Sequence, residues 1–218
     1  MFSDLDSIIF PDSCEVIEVV PSQHYVYPIF KNGSSSLKLT AESKGWQSIY
    51  NQDLGNIDTP ITVYLREPQD RFIRGVNTYV QQLAISNPVL DVDTVLFFVQ
   101  QYLFLNRHYA PQLFWLLNLA RYTDGPILLA DTKEIKNLTE ITIKSIVENP
   151  NSIISDKVNQ LDLRELELYF FLDNYVLGYI GQEITVKKLL RHLKADYPEI
   201  YHTVFEKTLT FANVLPKT

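Results

Sequence analysis

Cysteine is almost missing from this chain of 218 residues, in which Cys14 is the only one. A single cysteine excludes an internal disulfide framework and any zinc site built from several thiolates. Positive charge is also scarce, because 19 lysines and arginines stand against 26 acidic residues and leave a net charge of −7. We therefore expect no nucleic-acid partner and no attraction to an anionic membrane. A bound anion would need a local cluster of basic side chains and backbone N–H groups.

Long apolar runs and linker-like segments are missing as well. The longest apolar stretches, such as 95–99, are far too short to cross a bilayer. No basic segment precedes the short apolar run at 8–10, so we expect no signal peptide. The seven glycines and eleven prolines are spread thinly, with no repeat or low-complexity tract. These absences predict a soluble cytoplasmic protein in which residues 1–218 form a single domain.

What the chain does contain is an alternation of strand-like and helix-like segments. Stretches rich in β-branched and aromatic residues predict strands at 16–20, 24–30, 61–65 and 127–130. Apolar residues at helical spacing predict helices at about 69–86, 91–105, 112–122, 163–180, 185–195 and 198–212. The alternation favours an α/β fold with a parallel β-sheet flanked by helices. A helical C-terminal part, at about 162–212, would complete the cover of the sheet.

The first candidate site follows the second predicted strand. It consists of Lys31, Asn32, Gly33, Ser34, Ser35 and Ser36. A helix is expected to begin among the serines, since serine is a favoured N-cap residue. The helix N-terminus and the loop N–H groups would favour an anion there, the glycine would permit close approach, and Lys31 would add positive charge. An ordinary strand-to-helix turn with a solvated lysine explains the same residues.

The second candidate site begins where the third predicted strand ends. Arg66 leaves that strand, and ligands collect at strand ends in open parallel sheets. Arg71 and Arg74 follow within the next helix, and several guanidinium groups near one point suit a dianionic phosphate. The alternative is that these arginines pair with Glu67 and Asp70 on a solvated face.

A nucleotide P-loop of the usual form is not present. The pattern Gly-x-x-x-x-Gly-Lys-Ser/Thr occurs nowhere in the chain. Asp131 ends a hydrophobic strand, as a magnesium-binding aspartate would, but without the matching loop it is interpreted as a strand-end cap. A kinase or NTPase is therefore a weaker hypothesis.

Taken together, the segments 28–37 and 66–75 resemble two motifs of the sulfotransferase superfamily that uses 3′-phosphoadenosine 5′-phosphosulfate (PAPS). In that family a Pro-Lys-x-Gly-Ser/Thr loop wraps the 5′-phosphosulfate, and an Arg-x-Pro-x-x-Arg-Phe/Tyr-x-Ser segment binds the 3′-phosphate. The segment 106–112 is similar to the His-aromatic-x-Pro-Gln segment of the carbohydrate sulfotransferase branch. The three occur in the family's order and cover roughly residues 24–132.

The resemblance implies a P-loop-like sulfotransferase fold and a set of site residues. The implied PAPS-binding residues are Lys31, Asn32, Gly33, Ser34, Ser35, Ser36, Arg66, Arg71 and Arg74. Two positions depart from the family pattern. Phe30 stands where a proline usually precedes the lysine, and Arg74 stands where a serine usually contacts the 3′-phosphate.

The implied reaction moves a sulfuryl group from PAPS to a hydroxyl or amine of a carbohydrate or small acceptor, with no metal. Lys31 would stabilise the charge on the bridging oxygen, and His108 would serve as general base. A structural role for His108 is the alternative, and His24 and Glu67 are further candidates for the base. A second hypothesis is a degenerate member of the fold that binds a nucleotide or glycan without catalysis. The sequence leaves the acceptor and the oligomeric state open.

Overall fold

We analysed a computed structural model of the chain, which describes residues 14–20, 24–86, 91–104, 106–138 and 163–204. The short apolar run at 8–10 and the end of the last predicted helix, beyond 204, lie outside these residues. The described strands are β1 (Glu15–Val19), β2 (His24–Tyr27), β3 (Gln47–Tyr50), β4 (Ile61–Leu65), β5 (Ile127–Asp131) and β6 (Glu183–Ile184). The described α-helices are α1 (Ser34–Lys44), α2 (Pro68–Ser86), α3 (Val92–Gln101), α4 (Gln112–Leu119), α5 (Leu163–Leu177) and α6 (Val186–Asp196).

The strands form one mixed sheet in the order β3-β1-β2-β4-β5-β6. The three central strands β2, β4 and β5 are parallel to one another. The pairs β1–β2, β1–β3 and β5–β6 are antiparallel. The prediction of a parallel sheet is therefore correct for the centre and wrong for the whole. The connection from β1 to β2 is only four residues long, and a connection that short produces an antiparallel pair. The α/β class itself is confirmed.

Two of the strands were not predicted. β3 carries polar residues and is mostly exposed, so it lacks the apolar pattern that marks a strand. β6 is two residues long and gives no periodicity at all. The second predicted strand ends at Tyr27 rather than at residue 30, because residues 30–33 form a turn.

Alternation along the central strands divides the core between two faces of the sheet. Val63 and Leu65 join the larger buried cluster, which also contains residues of α2, α4 and α5. Tyr64, between them, joins the smaller cluster with Leu37 and Ala41 of α1. Helix α2 packs against α3 and α5, and α4 packs against α5. Helices therefore cover both faces of the sheet. The layer of α2, α4 and α5 lies beside the carboxyl ends of the parallel strands β2, β4 and β5.

Most helices begin and end within a few residues of the predicted boundaries. Helix α1 begins at Ser34, among the predicted serines, but its N-cap is Gly33 and not a serine. Two short 3₁₀ helices, Asn51–Asn56 and Thr132–Asn137, follow β3 and β5. Among the described helices, none combines the length and the apolar character needed to span a membrane.

Candidate anion-binding site

The carboxyl ends of three parallel strands meet at one edge of the sheet. The register pairs Tyr27 of β2 with Val63 of β4, and Leu65 of β4 with Asp131 of β5. The loop after β2, the residues after β4 and the 3₁₀ helix after β5 therefore start side by side. This edge is the place where ligands bind in open α/β sheets.

The loop after β2 has a strained backbone that turns directly into α1. Lys31 has a φ of 68° and Gly33 has a φ of 85°, both in the left-handed region. This conformation is uncommon for lysine and easy for glycine. A Cβ on Gly33 would also lie only 2.8 Å from Ile135 Cδ1, so the end of the Ile135 side chain would have to shift to admit a larger residue. The positive φ of Gly33 thus favours glycine at the turn that presents the N-terminus of α1.

Lys31 is partly buried, and its side chain reaches helix α2. Its Nζ donates a hydrogen bond to Thr78 Oγ1 of α2 at 2.7 Å. Burial, together with the positive charges of Arg71 and Arg66, lowers the pKa of Lys31 to about 8. The first two predicted motifs therefore converge, and Lys31 is only partly exposed to solvent.

Asn32 and the three serines lie at the N-terminus of α1. The buried Asn32 donates from Nδ2 to the carbonyl of Tyr64 at 2.7 Å and to Gln112 Oε1 at 2.6 Å, while its Oδ1 has no hydrogen-bond partner. Ser34 is buried, Ser35 is exposed and Ser36 is intermediate. The first turn of α1 contains no acidic residue that would compete for its N–H groups.

Arg66 follows β4 and lies beside two other cations. Its Nη1 is 3.5 Å from Asp70 Oδ2, and Arg74 Nε donates to Asp70 Oδ1 at 2.6 Å. Burial lowers the pKa of Arg66, and the positive charges of Arg74 and Arg71 also lower it. The negative charge of Asp70 raises it. Arg74 therefore matches the predicted alternative of pairing with an acid, and its charge still acts on Arg66.

Arg71 is completely buried, although it lies in a segment rich in charged residues. Its Nη1 donates to the carbonyls of Tyr109 and Ala110 and to Tyr169 Oη. Its Nε and Nη2 have no hydrogen-bond partner. A buried guanidinium with two unpaired donor atoms is costly, and an anion is the natural partner for such a group.

His108 lies in the turn that Arg71 holds. Burial lowers the pKa of His108 to about 3, with further contributions from the charges of Lys31, Arg107 and Arg71. Its ring packs against Phe30, at 5.9 Å between centroids, and Nδ1 has no hydrogen-bond partner. The Arg107 guanidinium lies 5.2 Å from the centre of the same Phe30 ring. At neutral pH the imidazole is uncharged, and its low pKa makes it a weak proton acceptor while no anion is bound.

The other two candidates for a general base are placed differently. His24 begins β2 and so lies at the opposite end of that strand from Lys31. The Glu67 carboxylate accepts hydrogen bonds from the backbone N–H groups of Gln69 and Asp70, at 3.0 and 2.6 Å, and thereby caps α2. Asp131 likewise accepts from Lys133 N at 2.7 Å, which matches its interpretation as a cap.

Four contributors to the site received no predicted role: Arg107, Gln112, Tyr169 and Asp173. Gln112 and Asp173 are buried and hydrogen-bonded to each other. A signal for Asp173 exists in the sequence, because it directly follows the apolar run 168–172 of α5. A charged residue in such a setting needs buried partners. Its partner lies 61 positions away, so the pairing was not visible in the sequence.

Comparisons with known proteins do not identify a family for this chain. No protein-family model matches it, and searches of curated proteins and of solved structures found no match.

Proposed function

We propose that this protein is a PAPS-dependent sulfotransferase with a P-loop-like sulfotransferase fold, which transfers a sulfuryl group to a hydroxyl or amine of a carbohydrate or small acceptor. The observation that carries the proposal is the convergence of Lys31, Arg66 and the buried Arg71 at the N-terminus of α1. The three residues come from two separate sequence motifs, and both motifs resemble parts of a PAPS site. Arg66 and Arg71 lie close enough to Lys31 for their charges to lower its pKa.

The charge balance of this cluster favours an anionic ligand. Asp70 is the acid that faces Arg66 and Arg74. The charge of Asp173 interacts with Arg71, yet Nε and Nη2 of Arg71 have no hydrogen-bond partner. Burial first, and the charges of Arg71 and Arg66 second, lower the pKa of Lys31. A phosphate or sulfate group would supply negative charge to this cluster, and a nucleotide carrying two such groups would span the loop and Arg66.

The reaction requires little from the protein beyond positioning and charge stabilisation. PAPS supplies the sulfuryl group, and its S–O bond to the phosphate breaks as the acceptor oxygen or nitrogen bonds to sulfur. The electron pair of the broken bond remains on the phosphate oxygen of adenosine 3′,5′-bisphosphate. Lys31 and the N–H groups of α1 are suited to stabilise that charge. The acceptor proton passes to a base, for which His108 is the nearest described imidazole to this cluster.

Binding without transfer is the second candidate function, and a specific observation favours it. The low pKa of His108 limits its ability to take the acceptor proton. Arg74, at the position of the family's serine, is held by Asp70. A chain with these features could retain a nucleotide while lacking catalysis.

Calorimetric titration tests the proposal at its first step. Adenosine 3′,5′-bisphosphate, adenosine 5′-monophosphate and ATP with Mg²⁺ are titrated into the intact protein and into Lys31→Ala and Arg66→Ala. Lys187→Ala is the matched control, since Lys187 is an exposed lysine that pairs with Asp124 before β5, at the other edge of the sheet. We expect the bisphosphate to bind best, and both site variants to lose at least about tenfold in affinity while the control does not.

A turnover assay then separates the two candidate functions. Release of adenosine 3′,5′-bisphosphate from PAPS is followed in the presence of a panel of sugars and phenols. Acceptor-dependent release supports the transferase, whereas tight binding without release supports the binding protein. Preference for ATP with Mg²⁺, or no binding of the bisphosphate, would overturn the sulfotransferase proposal.

A further inference from the structure

A single buried amide connects the two proposed anion-binding segments. Gln112, the first residue of α4, is completely buried. Its Oε1 accepts from Asn32 Nδ2 at 2.6 Å and from the backbone N–H of Arg66 at 2.9 Å. Its Nε2 donates to the carbonyl of Arg66 at 2.9 Å and to Asp173 Oδ2 at 3.1 Å. All four hydrogen bonds that a glutamine amide can make are therefore used within the protein.

The orientation of this amide is fixed by its partners. Exchanging its oxygen and nitrogen would place the NH₂ group against two donors, from Asn32 and Arg66. It would also place the oxygen against a carbonyl and the carboxylate of Asp173. Asp173 accepts from the backbone N–H of Gln112 as well, so its negative charge sits at the N-terminus of α4. Helix α5 thus orients the first residue of α4 through two bonds to one carboxylate.

The consequence concerns the distance between the two segments. Asn32 stands between Lys31 and Gly33 in the loop, and the backbone of Arg66 is held on both its N–H and its C=O by the same amide. A ligand with one anionic group at the loop and another at Arg66 needs both at the correct separation. A ligand with one anionic group does not.

We propose that Gln112, oriented by Asp173, is the positioning residue that sets the spacing between the Lys31 loop and Arg66 for a ligand that engages both at once. The inference rests on the proposed function, because it takes the ligand to be a nucleotide with separate 3′ and 5′ anionic groups. Gln112 itself touches no ligand, since it is buried and its hydrogen-bonding capacity is filled. It acts through Asn32 and Arg66.

The test compares ligands that need the spacing with ligands that do not. Affinities for adenosine 3′,5′-bisphosphate, adenosine 3′-monophosphate and adenosine 5′-monophosphate are measured by calorimetry on the intact protein and on Gln112→Met. The matched control is Asn118→Leu, which also replaces a buried amide of α4 by an apolar side chain of similar size. The side chain of Asn118 donates to Tyr27 Oη at 3.4 Å and accepts from Arg121 Nη1 at 3.5 Å, and neither partner belongs to the two segments. Asp173→Asn is the second variant if Gln112→Met does not fold, because it keeps the amide and removes its orienting charge.

In the intact protein we expect the bisphosphate to bind more tightly than either monophosphate, because two linked groups reinforce each other when the geometry permits. Gln112→Met should lose roughly tenfold or more of the bisphosphate affinity, with less than about threefold change for the monophosphates. Equal losses for all three ligands would indicate general loosening and overturn the positioning role, as would an unchanged bisphosphate advantage. Either result leaves the proposed function intact. If the intact protein shows no bisphosphate advantage, both the proposed function and this inference fail.

Discussion

Replacing Gly75 with alanine should destabilise the protein, although glycine to alanine in a helix usually does the opposite. Gly75 lies within α2, where alanine would ordinarily stabilise by about 1 kcal/mol. Here a Cβ would lie 2.3 Å from the carbonyl oxygen of His108 and 2.8 Å from Tyr109 Cβ. Ordinary contact begins at 3.4 Å, so the turn and the helix would have to separate by about 1.1 Å. The close approach of α2 to the His108 turn therefore depends on glycine.

The turn that would have to move is pinned in place. Arg71 donates to the carbonyls of Tyr109 and Ala110, and Tyr169 Oη donates to the carbonyl of Tyr109. Inserting a methyl group into a packed and restrained contact typically costs about 1–3 kcal/mol. We expect Gly75→Ala to lower the free energy of unfolding by about 2 kcal/mol, which corresponds to a decrease in Tm of roughly 4–8 °C for a chain of this size.

The measurement is urea denaturation of Gly75→Ala beside the unmodified protein, with thermal unfolding as a second readout. Gly55→Ala is the control, because its nearest new contact would be the carbonyl oxygen of Tyr122 at 3.7 Å. That control should stay within about 0.5 kcal/mol. A Gly75→Ala protein as stable as the unmodified one, or more stable, would refute the argument that α2 and the turn are in direct backbone contact.

Two further predictions concern protons. Burial raises the pKa of Asp173 from 3.8 to about 6, so the folded state binds more protons than the unfolded state between these values. Stability relative to Asp173→Asn should therefore decrease by about 2 kcal/mol as pH rises from 4 to 7, and a pH-independent difference between the two urea curves would contradict it. Lys31, with its pKa lowered to about 8, should regain its proton when an anion binds, so binding of adenosine 3′,5′-bisphosphate at pH 8 should take up about half a proton. Calorimetry in buffers of different ionisation enthalpy measures this uptake, which should vanish in Lys31→Arg; uptake that persists in Lys31→Arg would assign the proton to another group.

The central strands and most helices could be predicted because their signals are local. The run 61–65 is apolar and β-branched, and β4 occupies those residues without a shift. Pro68 at the first position of α2 and the acidic cap before it mark that helix start in the sequence. The mixed character of the sheet was not predictable in this way, because β3 and β6 are defined by their neighbours and not by their own composition.

The candidate site also has features that the local sequence predicts and features that it does not. Its glycine-containing loop and its arginines are recognisable from residue type and spacing, and the structure brings Lys31, Arg66 and Arg71 together. The individual roles depend on burial. Arg71 and Arg74 are three positions apart on one helix, yet Arg71 is completely buried under the Tyr109 turn and Arg74 pairs with Asp70 near the surface.

The amino-acid sequence is therefore sufficient to indicate the α/β class, the positions of the central elements and the presence of a local basic cluster in an acidic chain. The three-dimensional fold is needed to show which cation loses its solvent, how far the pKa values of Lys31 and His108 fall, and which amide joins the two anion-binding segments. The difference arises from the range of the interactions along the chain. Helix and strand signals arise within a few neighbouring residues, whereas desolvation and the bonds of Gln112 depend on groups up to 80 positions apart.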